Sequence, residues 1–362
     1  MPNTLTIIAV GLLGVMLSSR VQAQPPRSLL VEAPKGRFVG LPIHWGARDA
    51  ALLESSGRIH VFDSPEILNH QLLEEIFQPQ TLQQANLQLQ AELGSQFETL
   101  VTGPYVIGAP TGESRRWESR FRALLAGYMR YCEVRGWSLR KPDFPLVVIV
   151  MPSRVEFERF SSRELGGKEI PGNLAGMYIP RSNRCIVYHI GYSESTTNWA
   201  ATEETITHEA IHQLAYNTGI HERLFQNPLW LVEGLATMFE VPALYDTNLQ
   251  RSSITDRIHR GKASELQELL KEPQQLPDLL QSMVDSDQLY RQHPNLAYAL
   301  GWAMVFYLAE RMPTEFYDYI GRQRARGFQE YTAGDRNWDF RAAFQMTPEQ
   351  LAPQIQRLLL ID

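Results

Sequence analysis

The apolar residues of this chain change their spacing near residue 195. Upstream they come in short runs. Residues 146–151 read Leu-Val-Val-Ile-Val-Met without a break, which predicts a strand buried on both faces. Residues 97–101 and 105–107 predict a strand pair around Gly103-Pro104. Residues 175–179 and 185–189 flank the polar stretch 180–184 and predict an antiparallel hairpin. Smaller strands are expected at 38–41 and 58–62, and the proline-bounded stretch 25–34 reads as a linker. Residues 115–135 instead place Trp117, Phe121, Leu124, Leu125, Tyr128 and Met129 at helical spacing, with Gly136 positioned to end the helix. Leucines 82, 87, 89 and 93 make the glutamine-rich segment 80–96 an amphipathic helix rather than a low-complexity tract. Helices are also expected at 64–77 and 156–164. Beyond Trp199 the spacing is mainly helical, and strands first with helices after predicts an α+β fold.

Composition adds little to this. The chain has 362 residues, 44% hydrophobic and 20% charged, which is globular. A net charge of -6 without a basic run argues against a nucleic-acid partner. The amino terminus adds more. Residues 5–17 are apolar and uncharged, and Val21-Gln22-Ala23 ends in a small residue. That predicts an export signal cleaved after Ala23. The run is shorter than the roughly 20 residues of a membrane span. No Lys or Arg precedes it, so an uncleaved anchor is the other reading. After cleavage no membrane span is expected, and the protein would be periplasmic or extracellular. Cys132 and Cys185 could pair there, or stay as two separate buried thiols.

The chemistry concentrates in His208-Glu209-Ala210-Ile211-His212. On a helix, positions four apart share a face, so the two imidazoles can meet one metal ion. Glu209 projects beside that face, where a general base of a zinc site would stand. Thr202 is the expected cap, with Glu203 and Glu204 in the first turn. A catalytic zinc needs a third protein ligand and an open position. A Gly and a His three and six residues after the second His would complete one known arrangement, but Ala215 and Thr218 stand there. Asn227-Pro228 can open a second helix that carries Glu233 and Glu240 two turns apart on one face. An acid on so apolar a helix is expensive to bury unless paired or metal-bound. The small neighbours Ala236 and Thr237 favour Glu233 as ligand, with Glu240 the rival or a hydrogen-bond partner of an imidazole. His221 and Glu222 fall in the connecting loop and read as surface residues, as do Arg181 and Arg184 in the hairpin turn.

His208 to Gln213, followed by Trp230-Leu231-Val232-Glu233-Gly234-Leu235-Ala236, resembles the gluzincin arrangement of zinc metallopeptidases (HExxH followed by Glu, MA-clan-like). More closely, the chain resembles a bacterial family of peptidase-like proteins described mainly as a domain of unknown function, in order over residues 36–308. The resemblance implies a zincin, thermolysin-like fold with a mixed sheet over the HExxH helix, followed by a helical carboxyl-terminal part. It implies zinc held by His208, His212 and Glu233. It also implies an oxyanion-stabilising Tyr or His from a later helix; Tyr298 is favoured over Tyr290, His293 and Tyr307. The expected division is a signal at 1–23, a linker at 24–35, an α+β region at 36–112, a catalytic core at 113–240 and a helical part at 241–362. The expected function is a zinc-dependent hydrolase acting on peptide or protein substrate, with non-peptide amides a further possibility. The alternative is a non-catalytic, zinc-stabilised binding or scaffold protein of the cell envelope. Glu209 separates these readings, because a closed structural site has no use for a base.

Overall fold

A computed structural model describes residues 25–171, 174–189, 199–246, 253–270 and 272–360. The expected export signal and its cleavage site lie outside the described residues. The fold is α+β, with two five-stranded sheets followed by a helical half.

The first sheet holds β1 (Arg27–Ala33), β2 (Gly36–Trp45), β3 (Asp49–Leu53), β4 (Ile59–Asp63) and β5 (Asn69–Ile76). Its order is β4-β3-β2-β1-β5, antiparallel throughout. Two expectations are corrected here. The segment expected as a linker is β1, in the interior of the sheet, because Leu29, Val31 and Ala33 alternate into a small core with Leu52 and Phe62. The segment 64–77 is a short 3-10 turn and then β5, not an α-helix. Leu68, Leu72 and Ile76 recur every four residues, yet all three are exposed. Pairing with β1, Leu72 opposite Leu29, overrides the helical spacing.

After α1 (Leu82–Leu93), the second sheet begins with β6 (Phe97–Thr102) and β7 (Tyr105–Pro110). Helix α2 (Ser114–Val134) separates them from β8 (Leu146–Met151), and α3 (Arg154–Glu164) leads to the hairpin β9 (Gly176–Ile179) and β10 (Arg184–Tyr188). The order is β6-β7-β8-β10-β9, with β7, β8 and β10 parallel and both outer pairs antiparallel. The sheet is therefore mixed, and it runs across the division expected at residue 112. Alternation along β8 and β10 explains the unbroken apolar run. Val148, Val150, Cys185 and Val187 face the main core, while Ile149, Met151 and Ile186 pack with α1 and α3. Cys132 on α2 and Cys185 on β10 are separate buried thiols.

The helical half opens with α4 (Trp199–Thr218), which packs Ile206, Ala210, Ile211 and Leu214 into the main core. The helix begins before Thr202, so Thr202 is not its cap. Next come α5 (Leu229–Met238), α6 (Pro242–Tyr245), α7 (Arg260–Leu269), α8 (Leu276–Asp285), α9 (Gln288–Gln292) and α10 (Pro294–Arg311). Helices α11 (Pro313–Arg326), α12 (Ala333–Phe344) and α13 (Ala352–Leu359) close the chain. Helix α5 lies directly against α10: a Cβ on Gly234 would stand 2.3 Å from the backbone oxygen of Gly301. No side chain fits between them, and overpacking such a seam costs about 1–3 kcal/mol. Among the described residues, no helix is long and apolar enough to cross a membrane.

Candidate metal centre

Two neighbouring helices deliver the cluster. His208 and His212, one turn apart on α4, bring their Nε2 atoms to 3.0 Å. Glu233 on α5 places Oε2 3.2 Å from His208 Nε2 and 3.5 Å from His212 Nε2. All three donor atoms lie within 4.8 Å of one another. Two imidazole nitrogens on one tetrahedral zinc stand about 3.3 Å apart, given Zn–N of about 2.0–2.1 Å. The donor set and its spacing therefore fit such an ion. Among the described residues the group has three protein members.

Glu240 is not in that group, and it lies in the turn after α5 rather than on that helix as expected. Its Oε1 lies 2.8 Å from His208 Nδ1 and its Oε2 2.9 Å from His259 Nε2. It orients the imidazole from behind, the arrangement that fixes which ring nitrogen faces a metal. Burial pushes the Glu240 carboxyl up, but hydrogen bonds to His208 and His259 outweigh it and hold the group down at about 2. Glu233 behaves alike: burial raises it, and the His212 and His208 rings hold it well below the usual range. Burial works against the charged form of His208, yet its bonds to Glu233 and Glu240 raise it well above the usual imidazole range.

Helix α5 is anchored at its amino-terminal end. Its start at Leu229 follows Pro228 as the capping residue rather than Asn227, whose side chain instead ties the preceding loop at Glu222 and Phe225. Asp287 accepts from the Leu229 N–H at 3.0 Å and is itself gripped by Arg336 at 2.8 and 3.2 Å. Against α10, the small residue that permits close packing of α5 is Gly234.

Glu209 points toward the edge of the second sheet. Its Oε2 accepts from the Tyr178 N–H of β9 at 2.5 Å. Gly176 makes room for it, since a Cβ there would sit 3.0 Å from Glu209 Cγ. The hairpin is tied to α4 by Gln213, which donates to the backbone oxygens of Val147 and Asn183, and by the Asn183–Asn217 pair. Tyr298, in the first turn of α10, has its ring 6.4 Å from that of His208. Burial, and then the nearby Glu233 carboxylate, raise its pKa, so it stands as a neutral phenol. Tyr290 packs edge-on to Tyr298 at 5.3 Å, and its buried hydroxyl has no hydrogen-bond partner among the described residues. His293 is exposed, and Tyr307 lines a separate hollow with Ile254 and Glu310.

Three expectations are corrected. His221 is fully buried, with its ring 5.1 Å from that of Tyr216, not on the surface. Glu222 is half-buried and pairs with Arg140 at 2.8 Å. Arg184 is held between Glu92 and Glu164, so it is not a free turn residue. His189 stands apart, edge-on to Trp117. The residues missed from sequence are His259 and Asp287. Neither has a spacing signal, because each reaches the site across separate elements.

Burial, then the neighbouring His212 ring, lowers the His221 pKa to about 3, below the usual value of about 6.5. Between those values the unfolded chain binds a proton that the native chain does not, so stability falls as pH falls through this window. Melting of the metal-free protein from pH 7 to 4.5 should therefore drop more steeply than in His221→Leu. Parallel curves would show that His221 takes no part in the acid loss.

The family model described as "Protein of unknown function (DUF1570)" matches residues 202–327. That segment contains His208, Glu209, His212, Glu233, Glu240 and Tyr298. No curated protein is matched by the chain.

Proposed function

We propose that this chain is an exported zinc-dependent peptidase with a gluzincin centre in a zincin-like fold, acting on peptide or protein substrate. The observation that carries the reading is the convergence of His208, His212 and Glu233 with Glu209 beside them. These three residues would hold the metal. When bound, zinc supplies Lewis acidity, lowering the pKa of its water to about 7 and polarising a carbonyl.

The protein groups supply the rest. Glu209, aimed by the Tyr178 N–H, accepts the proton of the attacking water and passes it to the leaving amine. Neutral Tyr298 donates to the oxygen on which charge develops. Glu240 and His259 orient His208. A purely structural zinc would favour a fourth protein ligand; the three-member group supports the catalytic reading over the scaffold one.

The direct test pairs metal analysis with a peptide-library digest of the mature protein. The expected result is about one zinc per chain and cleavage that stops on chelation and returns with zinc. Stoichiometric zinc without cleavage of any peptide would leave the scaffold reading in its place.

A further inference from the structure

The edge strand β9 leads from Glu209 into a cleft between the two sheets. Tyr188 N donates to Ala175 O, and Asn183 N to Ile179 O. Residues 175, 177 and 179 thus turn their backbone toward β10, and Gly176 and Tyr178 turn theirs to the outer edge. Among the described residues no strand pairs with that edge. One to three residues past Tyr178, the chain at Ile179, Pro180 and Arg181 forms one wall of a hollow of about 430 Å³. The opposite wall is Ala50, Ala51 and Val61 of the first sheet, and Leu224 and Phe328 close the sides. The lining is chiefly apolar, yet Val61 and Phe328 are 47% and 45% exposed. Water therefore reaches part of two large apolar side chains, although the Phe328 ring also packs on His44 and Phe225.

The walls are held in fixed relation. Ile59 N donates to Arg181 O at 2.7 Å. Arg223 donates to Pro180 O at 2.8 Å and to Gly57 O at 2.5 Å. Its half-buried guanidinium is engaged by backbone oxygens and acts as a stitch between sheet and hairpin. The cleft is pre-formed, so a ligand need not order it. A larger hollow beside β2 and β5 includes no residue of β9 or the metal cluster and has no such connection.

We infer that this cleft is a specificity subsite for a bulky apolar side chain of an extended substrate paired along the outer edge of β9. The inference rests on the peptidase reading for the position of the scissile bond. A strand advances about 3.3 Å per residue. The distance from Tyr178 to the Ile179–Arg181 wall therefore places the selected side chain two or three residues from that bond. The Gly176 backbone and the Tyr178 carbonyl would supply the pairing, the Tyr178 N–H being held by Glu209, and the first sheet the selectivity.

The test is positional profiling with a peptide library on the zinc-loaded mature protein and on Val61→Trp and Phe328→Ala. Val61→Trp fills the cleft, and Phe328→Ala removes a wall; both positions are half-exposed, and because Phe328 also packs on His44 and Phe225, thermal melting checks that each variant is folded. The wild type should prefer Leu, Ile, Met or Phe at one position two or three residues from the cut. The ratio of apolar to glycine there should fall roughly 10- to 100-fold in Val61→Trp, and several-fold in Phe328→Ala. Profiles at other positions should match. Cleavage with the same profile in all three proteins overturns the subsite and leaves the peptidase reading intact. If the wild type cleaves nothing, fluorescence anisotropy of the same peptides decides. Binding weakened by Val61→Trp supports the cleft and removes the peptidase reading; no binding overturns both.

Discussion

Glu209→Gln should retain its zinc and lose roughly 10²–10⁴-fold in the rate of peptide hydrolysis. The substitution is close to isosteric. The amide oxygen can still accept from the Tyr178 N–H, so the side chain keeps its place beside the edge strand. It is not among the three converging donors, so metal content should match the wild type. What the amide lacks is an oxygen able to take a proton from water and return it to the departing amine. Metal analysis and kinetics on one preparation check this together. Equal rates in the two proteins would remove Glu209 from the chemistry, whatever the metal does.

The second large effect separates the acid on α5 from the one in the turn that follows it. Glu233→Ala should bind zinc far more weakly than Glu240→Ala. The first loses a donor atom 3.2 and 3.5 Å from the two ring nitrogens. The second loses only the brace behind His208, an effect worth about 10–100-fold in affinity. Competition with a chromophoric chelator measures both. The thermal shift on adding zinc gives a second reading, because a ligand that binds only the native chain raises its melting point. A Glu240→Ala protein that loses metal while Glu233→Ala keeps it would exchange the two roles.

Much of the architecture was legible in local spacing. The run at 146–151 announced a strand covered on both sides, and α2 showed its apolar stripe from Trp117 to Tyr128. Strands β1 and β5 were not legible. Flanking prolines disguised the alternation of Leu29, Val31 and Ala33, and β5 has a four-residue repeat that no core uses. An edge strand with mostly exposed side chains owes its conformation to the backbone of its neighbour, which leaves little trace in its own residues.

The candidate site divides along the same line. A pair of imidazoles four apart, with an acid between them, can be read from sequence because the α-helix alone sets their relation. The order of the chain therefore determined that α4 would present two rings on one side and Glu209 beside them. Which acid, Glu233 or Glu240, completes the group was a tertiary matter. Glu233 lies on α5 and Glu240 in the turn just beyond it, and the docking of α4 beside α5 separates donor from brace. The same holds for His221, buried despite its loop, and for His259, which reaches Glu240 from the turn before α7. Helical geometry relates residues within a few positions of one another. Contacts between elements depend on how their faces dock, which no short window of residues encodes.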